Sequence, residues 1–166
     1  MANSFKIPQL LLRIALGTGF LVTVSDRLGF LGSMGPANKN IEWGNWDNFI
    51  NYTGTLMPFL DKPVVNIMGG IATLSETIIG ILLITGFKTR QAAFGSSILT
   101  FTFALAMSIF LGIKAPINFA VFPVCTASLL LATIPVYEWS IDNFFTSKVK
   151  KQAGLDKIPG SVSLHR

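Results

Sequence analysis

Two ionisable side chains stand inside long apolar runs. Arg13 lies in PQLLLRIALGTGFLVTVSDRL and Glu76 in PVVNIMGGIATLSETIIGILLITGF. A charge in hydrocarbon is costly, so each such group needs a partner or a use. If both runs are antiparallel helices, Arg13 lies roughly 8 Å and Glu76 roughly 15 Å from the same face of the membrane. An arginine side chain spans that difference, so the depths predict an Arg13–Glu76 ion pair. Three readings are open. The pair fixes helix register, or it lines a polar pocket for a quinone head group or a proton path, or the two groups never meet.

The other candidates are weaker. Asp26 and Arg27 close the first run. They read either as a charge pair in interfacial water or as an anchor for the following loop over a site near the outer leaflet. Pro123 and Pro135 are expected to bend the last apolar run or free carbonyls within it. Cys125, among apolar residues, reads as inert, and His165 in the tail as incidental. Asn51-Tyr52-Thr53 matches a glycosylation sequon, a triplet common by chance. One Cys and one His exclude a disulfide framework, a CxxC site and a His-built metal or haem site in this chain alone. There is no Gly-rich phosphate loop, G-x-S-x-G or HExxH, and no metal ligand set is assigned.

The elements that position these residues are apolar and long. Of the 166 residues, 51% are hydrophobic and only 13% charged, and mean hydropathy is +0.58. Soluble domains carry about 25% charged residues, so disordered, coiled-coil and charge-covered soluble classes are excluded. A membrane span needs about 20 mostly apolar residues. Runs at about 8–28, 63–87, 91–113 and 115–139 qualify. An open sheet edge cannot face lipid, so the fold expected is all-α: an integral membrane four-helix bundle over 1–139, followed by a basic cytoplasmic tail over 140–166. Small and hydroxyl residues recur at helical spacing in Asn66, Gly69, Gly70, Thr73, Glu76, Thr77 and Gly80, and again in Ala93, Ser96, Ser97, Thr100, Ala104 and Ser108. Such rows suit close helix packing and leave little room for a pore or a transport path.

Lys88-Thr89-Arg90 and Lys114 are short joints, whereas 29–62 is a long outer loop. Its SMGPANKN stretch breaks structure, and Phe49, Tyr52, Leu56 and Phe59 in NWDNFINYTGTLMPFL predict a short surface helix. Lys6, Lys88, Arg90, Lys148, Lys150, Lys151, Lys157 and Arg166 outnumber the basic residues of the other side. The positive-inside rule then places both termini in the cytoplasm, and the first run reads as an uncleaved helix. In the tail, Ile141, Phe144, Phe145 and Val149 are expected on one helix face, with Lys148, Lys150 and Lys151 opposite. Its expected partner is anionic lipid rather than nucleic acid.

Leu11-Leu12-Arg13-Ile14-Ala15-Leu16-Gly17 with Phe20-Leu21 forms one motif. Glu76 and Gly80, Leu82-Leu83-Ile84-Thr85-Gly86, Thr89-Arg90 and Ala92-Ala93 form another. Together they resemble the DoxX/DoxD family of small four-helix membrane proteins, over roughly 10–31 and 64–132. Val24 departs from the pattern, standing where the family usually has a glycine. The resemblance implies a subunit of a bacterial or archaeal cytoplasmic membrane, accessory or structural within a membrane oxidoreductase assembly. The alternatives are a catalytic, quinone-linked subunit of a thiosulfate:quinone oxidoreductase, or a structural subunit of a non-redox complex. It marks Arg13, Glu76 and Arg90, and implies quinone as the possible cofactor, with the bilayer and either partner subunits or further copies of the chain as partners.

Overall fold

A computed structural model of the chain describes residues 5–32 and 43–152. The SMGPANKN stretch and the segment holding His165 lie outside them. The described residues form helices and no strands: α1 (Lys6–Arg27), α2 (Trp46–Leu56), α3 (Lys62–Thr85), α4 (Thr89–Phe110), α5 (Lys114–Asn118), α6 (Val121–Thr133) and α7 (Ile141–Gln152). Among them, α1, α3 and α4 are long and apolar enough to cross a membrane.

Local chemistry sets the helix ends. Asn45 caps α2, its side-chain oxygen accepting from Asn48 N–H at 2.9 Å. Pro63 sits in the first turn of α3, where its missing N–H costs nothing. Gly86 ends α3 in the left-handed conformation, φ 71°, and its N–H returns to Leu82 O.

The fourth apolar run departs from expectation. It is not one helix over 115–139 but α5 and α6, separated at Phe119-Ala120. Ala120 takes φ 53° and turns the chain. Pro123 therefore bends nothing: it falls in the first turn of α6, where proline is tolerated. Pro135 acts as expected on its neighbour. Ile134 is extended, ψ 128°, as the residue before proline prefers, and α6 stops at Thr133.

Packing turns the usual polarity inside out. Along α3 the buried face is Val65, Gly69, Thr73, Glu76, Gly80 and Leu83, while Ile67, Ile71, Leu74, Ile78 and Ile81 point outward. On α4 the buried face includes Ala92, Ala93, Ser96, Ser97, Thr100 and Ala104, with Phe94, Ile98, Phe101 and Leu105 outside. An apolar exterior around a core of small and hydroxyl residues suits lipid. The core between the long helices gathers Leu16, Phe20, Leu83, Ala92, Ala93 and Leu131. A second cluster of Phe49, Ile50 and Val65 joins α2 to α3. The inner face of α2 is Phe49, Ile50, Thr53 and Leu56. Ile50 and Phe49 fill the hollow left at Gly69, whereas Tyr52 is only half-buried and Phe59 lies exposed past the helix end.

Candidate functional site

The membrane-depth argument pairs the wrong arginine. Arg27, not Arg13, meets Glu76: Arg27 Nη2 lies 2.7 Å from Glu76 Oε2, with side chains 2% and 4% exposed. Direction decides this. Helical side chains lean toward their own N-terminus. Gly17 of α1 lies against Gly80 and Ile84 of α3, and Arg27 reaches Thr73, so the two helices run antiparallel. Arg27 therefore leans back into the bundle, and Glu76 leans toward the end where α1 finishes. Arg13 leans the opposite way and leaves Glu76 behind.

Arg13 instead closes the end of α3. Its Nε donates to Leu83 O at 3.1 Å and its Nη2 to Ile84 O at 3.3 Å. Nη1 donates to Glu138 O at 3.2 Å. The last carbonyls of a helix have no partner within it, and a cation there also suits the helix dipole. Gly86 makes the approach possible, since a Cβ at that position would fall on the Arg13 guanidinium and on Ser140. Arg90 does the same for α6, with Nε donating to Ala132 O at 3.0 Å. Gln9 adds a donation to Glu138 O at 2.9 Å. Tyr137 donates to Leu131 O at 2.9 Å, and burial pushes its phenol above the ordinary range, so it stays a donor.

Around Arg27 and Glu76 a small polar centre is sealed from every side. Arg27 Nη1 donates to Thr73 Oγ1 at 3.0 Å, and that hydroxyl in turn donates to Gly69 O at 2.8 Å. The Glu76 contact is a close ion pair, Arg27 Nη2 to Glu76 Oε2. Arg27 Nε has no acceptor among the described residues. Above the guanidinium lie two rings, Phe49 at 4.1 Å and Trp43 at 5.0 Å from centroid to Cζ. A cation over an aromatic face is attracted to it. The rings pack edge to face, with centroids 5.2 Å apart.

Asp26 fastens this roof. Its carboxylate accepts from Trp43 N–H at 2.8 Å and Gly44 N–H at 3.3 Å. Asp26 thus ties the end of α1 to the backbone of 43–44. Trp46 adds an indole N–H to Asn66 Oδ1 at 2.7 Å. Neighbouring residues at the end of α1 thus do different work: Asp26 reaches outward to the backbone of 43–44, and Arg27 inward to α3. Two things select Arg27: the register of α1 against α3, set where Gly17 meets Gly80, and the direction of side chains on antiparallel helices.

A second polar seam joins α4 to α6. Ser96 and Ser128 hydroxyls stand 2.7 Å apart, and Cys125 Sγ donates to Ser97 O at 3.4 Å. This packs the thiol as a buried contact of the seam.

Chemically, the Arg27–Glu76 pair is net neutral and closed to solvent, and it ties three elements together. Among the described residues no three His, Cys, Asp or Glu side chains stand close enough to hold a metal ion. No known family, curated protein or solved structure matches the chain.

Proposed function

We propose that this chain is a small integral membrane subunit, accessory or structural within a membrane oxidoreductase assembly. In this reading α1, α3 and α4 cross the bilayer, and α5 with α6 forms a broken fourth crossing. The start of α1 lies beside the segment before α7, on the side richer in Lys and Arg, which in this reading is the cytoplasmic side by the positive-inside rule. The observation that carries the accessory role is the sealed Arg27–Glu76 pair. Its two charges neutralise each other and are 2% and 4% exposed, so they hold helices rather than meet a substrate. The assembly is named from the DoxX/DoxD resemblance, which rests on Arg13, Glu76, Arg90 and their surrounding motifs.

The catalytic, quinone-linked reading has one observation in its favour. Trp43 and Phe49 roof a buried cation and carboxylate, groups that suit an aromatic carbonyl head group. The roof lies directly on the guanidinium, however, so a ring fits only if α2 lifts. Glu76 as fastener needs no such movement and is the reading the geometry supports better.

Purification from the native membrane in mild detergent tests both, with identification of every co-purifying protein and assay of extracted quinone. A stoichiometric redox partner supports the accessory role. Bound quinone, together with a stably folded Glu76→Gln variant that loses quinone-linked turnover, would move the chain to the catalytic reading. A large non-redox assembly would make it a packing subunit of another kind. A lone chain would overturn the subunit proposal.

A further inference from the structure

The first turn of α7 is attached by its polar side. Asp142 accepts from the N–H groups of Lys88 and Thr89, each at 2.8 Å, and its own N–H donates to Gly86 O at 3.0 Å. Asn143 reaches Glu138 Oε2 at 3.3 Å. The apolar side is left bare: Phe144 and Phe145 are each 57% exposed, with Ile141 on the same side and Trp139 just ahead of the helix. A helix in water packs the other way round.

The bare face also carries a cation. Lys148 was expected opposite the aromatics, yet it follows Phe144 by four residues, one helical turn. Its ammonium rests 4.5 Å from the Phe144 ring centroid. Lys150 and Lys151 follow in the chain. The Asp142 clasp fixes this helix at the joint of α3 and α4, the level at which two membrane-length helices end. Beside it opens a groove of about 510 Å³, bordered by Trp139, Ile141 and Phe144.

We propose that α7 lies in the head-group layer of an anionic leaflet. Phe144, Phe145, Ile141 and Trp139 sink toward the acyl chains, and the lysines meet lipid phosphates. Long cationic side chains commonly lie along apolar surface with their charge in the polar layer, and in-plane helices bind anionic lipid this way. A second copy of the chain is a poorer occupant. Twofold pairing of this face would add the Lys148 cation of one copy to that of the other, whereas phosphate supplies the opposite charge. The inference rests on the membrane reading above.

The full chain in nanodiscs tests it, with phosphatidylcholine alone compared with phosphatidylcholine plus one-quarter phosphatidylglycerol. Hydrogen exchange is read at the amides of 141–149 and, as a reference, across α3. In the anionic discs the α7 amides should exchange at least about tenfold more slowly. That gain should vanish in the K148Q/K150Q/K151Q variant and shrink in high salt. Equal exchange in both discs, with α3 protected, overturns the α7 proposal and leaves the membrane reading standing. Protection in neutral discs that rises with the number of chains per disc assigns the face to a second copy and also overturns it. A chain that stays outside the discs, or an unprotected α3, overturns the membrane reading and this inference with it.

Discussion

Gly17 and Gly80 face each other across α1 and α3. A methyl group added at Gly17 would lie 2.9 Å from the Gly80 carbonyl oxygen, and one added at Gly80 would lie 3.1 Å from that of Gly17. The helices therefore meet backbone to backbone. This contact sets the level of everything above it, including where Arg27 falls relative to Glu76. Gly17→Leu should push the helices apart at a cost of about 1–3 kcal/mol or more. Thermal unfolding in mild detergent reads this as a lowered midpoint. Gly19→Ala is the control, since a Cβ there meets nothing, and its midpoint should not fall.

Removing one partner of the buried pair should cost more than removing both. Arg27→Met or Glu76→Met alone strands a charge, at about 3–5 kcal/mol. The double Met variant keeps volume and leaves no charge, so its stability should return close to that of the parent. A double variant as unstable as the sum of the singles would show that Arg27 and Glu76 are not coupled and contribute independently.

Asp26→Ala should free the roof without unfolding the bundle. It removes two hydrogen bonds to a carboxylate, each worth about 1.5–3 kcal/mol. Hydrogen exchange should rise across 43–56 and remain unchanged in α4. Trp43 should also shift its fluorescence toward that of exposed indole.

Gly86→Ala tests the closure of α3. The residue needs a left-handed backbone, and a Cβ would displace Arg13 from the carbonyls of Leu83 and Ile84. Backbone strain of about 1–3 kcal/mol adds to the lost hydrogen bonds. Arg13→Ala in the Gly86→Ala background should then cost little further, because the same contact is already broken. Additive losses would mean that the two residues act separately.

Much of this architecture is legible in composition and period. The small-residue faces of α3 and α4 predict their own burial, since only such residues allow the close approach that Gly17 and Gly80 show. The ends of α1, α3 and α4 fall within three residues of those read from hydropathy, because charged and glycine-rich joints bound the apolar runs. What depth along an axis does not carry is direction. With Gly17 opposite Gly80, Arg13 and Glu76 lie about 12 Å apart along the antiparallel axes and their side chains diverge, so the pair forms with Arg27 instead. The break at Ala120 was equally hidden: a non-glycine residue in the left-handed region leaves no mark in the sequence, whereas Pro123 drew attention to the wrong place. Lys148 shows the same lesson on α7, where counting residues around the turn places it beside Phe144.

The separation of the buried charges between helices also has a consequence for biogenesis. The ribosome makes Arg27 well before Glu76, so α1 reaches the bilayer with a cation whose counter-charge does not yet exist. Its place at the tip of the helix makes that wait tolerable, because a long basic side chain there can extend to water. Glu76, mid-way along α3, has no such refuge and must find its partner on arrival. The order of synthesis therefore leaves the tolerant charge waiting for the intolerant one. A chain lacking the arginine would present the cell's quality-control proteases with a helix holding a naked acid, and rapid turnover rather than altered activity would be the first sign of the defect.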